Sequence, residues 1–117
     1  MIAMRILTGK NPEIIDIRNR LHELQLAVEG YIEVIPCPWD RMARLVVNEE
    51  GKIRHMPPNR ILNDPHTGMY DILAGPILIV GINKEDFDDL TDDQIQAVKD
   101  LSDEYLIMLT EVKGGRR

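Results

Sequence analysis

Within the stretch PPNRILNDPHTGMYD, Pro57 to Asp71, four side chains of complementary chemistry stand close together. Asn59 offers both a donor and an acceptor, and Arg60 a planar fork suited to carboxylate or phosphate. Tyr70 offers a stacking face, and Asp71 a carboxylate. Such a set can recognise a nucleotide-like ligand, with Arg60 on phosphate, Asn59 or Asp71 on base or ribose, and Tyr70 stacking. The same residues also admit a purely architectural reading, an internal Arg60–Asp71 ion pair with Asn59 capping a turn. Trp39 is a second stacking candidate, and Arg41, Arg44, Lys52 and Arg54 are further candidates for phosphate.

Groups for covalent chemistry are scarce. Ser102 is the single serine, and it lies within a helical pattern without a histidine near it in sequence. Cys37 stands between Pro36 and Pro38, a setting for a packed thiol more than for a nucleophile. The chain has no G-x-S-x-G, no Walker loop and no G-x-G-x-x-G. His22, His55 and His66 lack metal-ligand spacing, and Asp64, His66 and Asp71 are explained by a turn without a cation. The expectation is a binding protein that is not an enzyme, with no cofactor and no metal.

Charge narrows the ligand class. The net charge is −6, unevenly distributed. From Arg41 to Arg60 five Lys/Arg face only Glu49 and Glu50, a local balance of +3. From Lys84 to Glu104 nine Asp/Glu face Lys84 and Lys99, a balance of −7. The acidic end repels a phosphate backbone, so direct nucleic-acid binding is not expected, whereas the basic middle can hold a small anion.

The elements that must position these groups fit one domain. A chain of 117 residues, 44% hydrophobic and 29% charged, supports a single modest core, read here as residues 1–113 with a frayed basic tail at 114–117. No apolar run reaches the roughly 18 residues of a membrane span, and the N-terminus has no long apolar h-region. One cysteine excludes an intrachain disulfide and fits a reducing cytosol.

Met4–Leu7 and Glu13–Asp16 read as strands around the turn at Thr8–Pro12. Ile17, Leu21, Leu24 and Val28 recur at helical spacing before Gly30, the expected stop. Tyr31–Pro36 and Ala43–Val47 read as strands, and NEEGK as a turn in which Gly51 takes a positive φ. Lys52–Met56 is expected to form a short returning arm. The apolar run PILIVGI, Pro76 to Ile82, predicts a buried strand. Thr91-Asp92-Asp93-Gln94 fits a capping box, with Leu90 and Ile95 placed for a hydrophobic staple and two aspartates at the positive end of the dipole. Ile95, Val98, Leu101, Tyr105 and Leu109 then face a sheet. Together these predict an α+β fold, a mainly antiparallel sheet with two helices packed on one face.

Five segments carry a resemblance: YIE from Tyr31, NEEGK from Asn48, PPNR from Pro57, YDILAGPILIVG from Tyr70 and DFDDLTDDQI from Asp86. In order and spacing they resemble a domain-of-unknown-function family, number 3846, found in phages and mobile elements of gut and soil bacteria. Members often read YDIIAGTFLIVG; Pro76 departs from that pattern and removes a backbone donor at the strand start. The resemblance implies a phage-type accessory protein of the host cytosol, and such proteins often counter host defence. One such role is a sponge that sequesters a nucleotide immune signal, such as a cyclic dinucleotide or a cyclic ADP-ribose derivative, without cleaving it. Another is an acidic DNA mimic or protein-interaction inhibitor of the anti-restriction type, and a third is an interaction module without a ligand. The basic and aromatic middle favours the sponge, and enclosing a polar ligand in so small a chain favours a homo-oligomer.

Overall fold

A computed structural model describes residues 1–109. The expected tail at 114–117 lies outside the described residues. Nine strands and two helices follow in the order β1 (Ile2–Ile6), β2 (Glu13–Asp16), α1 (Leu21–Val28), β3 (Ile32–Cys37), β4 (Asp40–Asn48), β5 (Pro58–Asp64), β6 (Met69–Ala74), β7 (Ile77–Asn83), β8 (Asp86–Asp88), α2 (Asp92–Tyr105) and β9 (Leu106–Met108). The larger sheet has the order β2-β1-β7-β4-β3, with β8 paired to the end of β7. The smaller runs β6-β5-β9, and every pairing is antiparallel. The α+β class with mainly antiparallel sheets is therefore the fold.

The strand PILIVGI is the middle of the larger sheet, hydrogen-bonded to β1 on one side and β4 on the other. Its side chains alternate between two cores. Ile77 and Ile79 pack with Met4, Ile6, Leu45, Leu62, Leu73, Val98 and Leu106. Leu78 and Val80 pack with Ala3, Leu24, Val28 and Val46. Being buried on both faces explains why this strand reads as an unbroken apolar run. It also corrects the expectation that both helices share a face. α2 and the small sheet cover one face of the large sheet, and α1 covers the other. Amphipathic stripes show that each helix has a buried side but carry no record of which layer receives it.

α2 starts as its sequence predicts. Gln94 N–H donates to Thr91 Oγ1 at 3.1 Å, and Thr91 N–H donates to Gln94 Oε1 at 2.9 Å. α1 is shorter than its apolar spacing suggests: Leu24 and Val28 are buried, Leu21 is exposed, and Ile17 packs from outside the helix. The left-handed residue at its end is Glu29 (φ 66°), whereas Gly30 is needed for room. A Cβ there would come within 2.6 Å of both Asn48 and Arg54 side chains.

Three other local expectations change. Gly51 has no positive φ; a Cβ on it would lie 2.5 Å from the Ala74 carbonyl oxygen, so close backbone approach demands the glycine. Lys52–Met56 is a series of turns closed by Arg54 N–H to Glu50 O (2.9 Å) and Met56 N–H to Gly51 O (2.9 Å), with His55 left-handed at φ 57°. The stretch Pro57–Asp71, which resembles no strand in sequence, supplies the β5–β6 hairpin and with β9 builds the second sheet. Asn59, Arg60, Asn63 and Asp64 mask β5 because polar residues depress strand propensity; Asn59, Arg60 and Asp64 are nonetheless buried.

Candidate functional site

The predicted site residues separate into five places. Asn59 and Arg60 are each 1% exposed and are tied into the fold. Asn59 Nδ2 donates to the carbonyls of Ile6 and Gly75, both at 2.9 Å, joining β5 to β1 and to the turn between β6 and β7. Arg60 Nη1 donates to Asn59 Oδ1 at 2.8 Å and to Asn59 O at 3.1 Å, and Nη2 donates to the Lys10 carbonyl. Burial pushes the guanidinium's pKa down, with the charge of Asp103 acting in the opposite sense. These two residues form architecture, because their polar atoms already meet backbone and each other in a closed space.

The expected Arg60–Asp71 ion pair is not formed. Asp71 instead pairs with Lys52, Oδ1 to Nζ at 2.6 Å, at the edge of a recess of about 120 Å³. That recess is also bordered by Glu33, Glu49 and Glu50, a poor setting for a second anion. Arg54 lies beside α1, where Nη1 donates to the Glu29 carbonyl at 2.6 Å and satisfies an orphan group of the helix end. Tyr70 is exposed on the outer face of the small sheet, away from the other candidates.

Trp39, Arg41 and Arg44 remain together. They line a groove of about 700 Å³ between the Pro36–Arg44 region of the β3–β4 hairpin and the Asp64–Thr67 turn of the β5–β6 hairpin. This is within the usual range for small-molecule sites. The cysteine-proline run shapes one wall. Pro36 sits on β3, an edge strand where its missing N–H costs no ladder bond, and the register shifts between Pro36 and Cys37. Trp39 is half-buried, its ring centroid 5.8 Å from that of Tyr105 on α2, at an interplanar angle of 34°. α2 thus braces the indole from behind.

Arg44 is held by its own strand: Nη1 donates to the carbonyls of Arg41 (3.0 Å) and Ala43 (2.8 Å), which fixes the guanidinium while Nη2 and Nε have no protein hydrogen bond among the described residues. Arg41 forms no side-chain hydrogen bond or ion pair among the described residues. A prepositioned fork beside a second cation and an indole can clamp a phosphate and stack a base.

The opposite wall is the Asp64–Thr67 turn. Gly68 N–H donates to Asp64 O at 2.8 Å, and His66 N–H to Asp64 Oδ1 at 2.9 Å. Asp64, His66 and Thr67 were not among the ligand candidates of the sequence. Their only signal was the turn motif DPHTG, which fixes a hairpin tip without saying what faces it. Asp71 belongs to another recess, so Asp64, His66 and Asp71 do not gather around one point.

Cys37 contributes wall and little reactivity. Burial, with Asp40 adding to it, pushes its thiol up to about 12; the Trp39 and Asp40 backbone N–H groups and Arg44 act against the shift. Ser102 is 3% exposed on the inner side of α2.

No curated protein and no solved structure matches the chain. The model of one family, described as a domain of unknown function (DUF3846), matches residues 1–103. The match extends well beyond the Tyr31–Leu90 run that carries the resemblance, taking in β1, β2, α1 and nearly all of α2, which are the braces of both cores and of the groove. The chain belongs to the DUF3846 family.

Proposed function

We propose that the protein reversibly binds a small phosphorylated nucleotide in the groove between the two hairpins and releases it intact. The observation that carries this reading is the convergence of Trp39 with the guanidinium groups of Arg41 and Arg44 on one groove of about 700 Å³. Arg44 forms the fixed phosphate contact, Arg41 a mobile one, and Trp39 the stacking surface. The single cysteine and the single serine, Cys37 and Ser102, are buried, which supports binding without turnover. In a phage-type accessory protein acting in the host cytosol, such binding amounts to sequestration of a nucleotide immune signal.

The DNA-mimic alternative draws less support. Mimicry needs carboxylates free to stand in for phosphates, and three in the acidic stretch are already acceptors. Asp86 Oδ1 receives Asn19 Nδ2 (3.1 Å) and Phe87 N–H (2.8 Å), Asp88 Oδ1 receives Asp89 N–H (2.8 Å), and Asp89 Oδ1 receives Ile2 N–H (2.7 Å).

Self-association is part of the same proposal. Ile72, Ile61 and Ile107 lie in register across all three strands of the small sheet, and their outward face continues to Tyr70. A strict monomer by light scattering across micromolar concentrations would remove this part.

The test is calorimetry against a panel containing ADP, ADP-ribose, cyclic ADP-ribose and cyclic di-AMP, with recovery of the ligand after heat denaturation. The expected result is binding by the wild type, loss of about ten- to a hundredfold in affinity for Arg44→Ala, and unchanged ligand on recovery. Absence of binding across the panel, or undiminished binding by Arg41→Ala/Arg44→Ala, overturns the reading. A degraded ligand would make the protein an enzyme.

A further inference from the structure

Two carboxylates line the groove, and they differ in what they already hold. Asp40 is engaged at both oxygens: Oδ1 accepts from Met42 N–H at 2.8 Å, and Oδ2 from Gln94 Nε2 at 3.0 Å. It ties β4 to the start of α2. Asp64 is 6% exposed, and Oδ1 accepts from His66 N–H. Among the described residues its Oδ2 has no hydrogen-bond donor, and no cation forms an ion pair with it, although Arg41, Arg44 and His66 line the same groove. That oxygen is not sealed from solvent, since among the described residues Arg5 Nε is the one buried side-chain polar atom without a partner. It is open to a donor from a molecule lying in the groove, which a ligand hydroxyl can supply in place of solvent.

We propose that Asp64 Oδ2 accepts the ribose 2′-hydroxyl of the bound nucleotide, so that the groove selects ribonucleotides over their 2′-deoxy counterparts. The inference rests on the nucleotide reading of the groove. In any nucleotide the sugar stands between base and phosphate. Here Trp39 and the two arginines come from one wall, and Asp64 stands on the wall that faces them. An O–H donor to a carboxylate makes a short, charge-assisted bond, and a site built to bond a hydroxyl discriminates against the analogue that lacks it. Asp40 is the poorer acceptor, since each of its oxygens already takes a bond within the protein, whereas Asp64 Oδ2 takes none among the described residues.

The experiment titrates the wild type with ADP and 2′-deoxy-ADP, and with cyclic di-AMP and its 2′-deoxy form. The expected result is a preference of about ten- to a hundredfold for the ribose form of whichever pair binds. Asp64→Asn keeps an amide oxygen for the His66 N–H and so preserves the turn. It should reduce that preference to less than about threefold while changing the affinity for the deoxy form little. Equal affinity of the wild type for ribose and deoxyribose forms overturns the assignment of Asp64 and leaves the nucleotide reading standing. A preference that follows the base, tested with GDP against ADP, and is indifferent to the sugar overturns it equally. If neither pair nor any other nucleotide of the panel binds, the nucleotide reading falls, and this inference with it.

Discussion

Replacing Arg60 separates architecture from ligand recognition, because the guanidinium is buried, charged and bonded only to carbonyl-type oxygens. Arg60→Ala removes the donors to Asn59 Oδ1, Asn59 O and Lys10 O. Lys10 is exposed, so water can replace the donor at its carbonyl. Asn59 is 1% exposed, so its Oδ1 is left unpaired at a cost of about 1–3 kcal/mol. Truncating the largest fully buried side chain adds a cavity term of about 2 kcal/mol. Against these stands the relief of removing a buried cation with no ion-pair partner among the described residues, which desolvation already disfavours. The net expectation is a loss of about 2–4 kcal/mol for Arg60→Ala. Arg60→Met refills the space and also removes the charge, so it should cost only about 0–2 kcal/mol. Urea denaturation followed by circular dichroism reads both. With a slope of about 2 kcal/mol/M, alanine lowers the midpoint by about 1–2 M, and methionine by about 0–1 M. If the methionine variant falls as far as alanine, the charge-assisted bonds outweigh packing and desolvation, and the reasoning is wrong. Folded Arg60→Ala that keeps its midpoint but loses nucleotide affinity would return Arg60 to the ligand site.

Thr91→Ala removes one half of the capping box and should cost about 1 kcal/mol in urea. Gln94→Ala should cost more, because the same amide also reaches Asp40 Oδ2 (3.0 Å) and the Met42 carbonyl (3.1 Å); equal losses would mean those ties contribute nothing. Cys37 links stability to pH. Its folded value is raised from 9.0 to about 12, so the neutral thiol stabilises the fold fully below pH 9. That contribution is lost as pH rises from about 9 toward 12, at up to roughly 1.4 kcal/mol per pH unit. Cys37→Ala should flatten this slope, and rapid alkylation of native Cys37 at pH 8 would show the thiol to be more accessible than the structure places it.

Patterns local to the chain were legible without the fold. PILIVGI is a buried strand because every residue in it is apolar, and α2 starts at Thr91 because a capping box needs only four consecutive residues. The antiparallel α+β class follows from short strands joined by short turns. Contacts between distant segments were not legible. Arg60 and Asp71, eleven apart in sequence, invite an ion pair, yet on the paired strands Arg60 stands opposite Leu73, and Asp71 opposite Leu62. Register left Asp71 with Lys52 and turned Arg60 into the interior. Residue chemistry put Trp39, Arg41 and Arg44 among the candidates for a ligand, whereas that they share one groove, with Asp64, His66 and Thr67 as its facing wall, follows only from the second sheet packing its hairpin tip across from them. The choice between neighbouring carboxylates has the same origin. Sequence gives Asp40 and Asp64 identical chemistry; Gln94, more than 50 residues from Asp40, bonds one oxygen of Asp40, whereas Asp64 Oδ2 has no hydrogen-bond donor among the described residues.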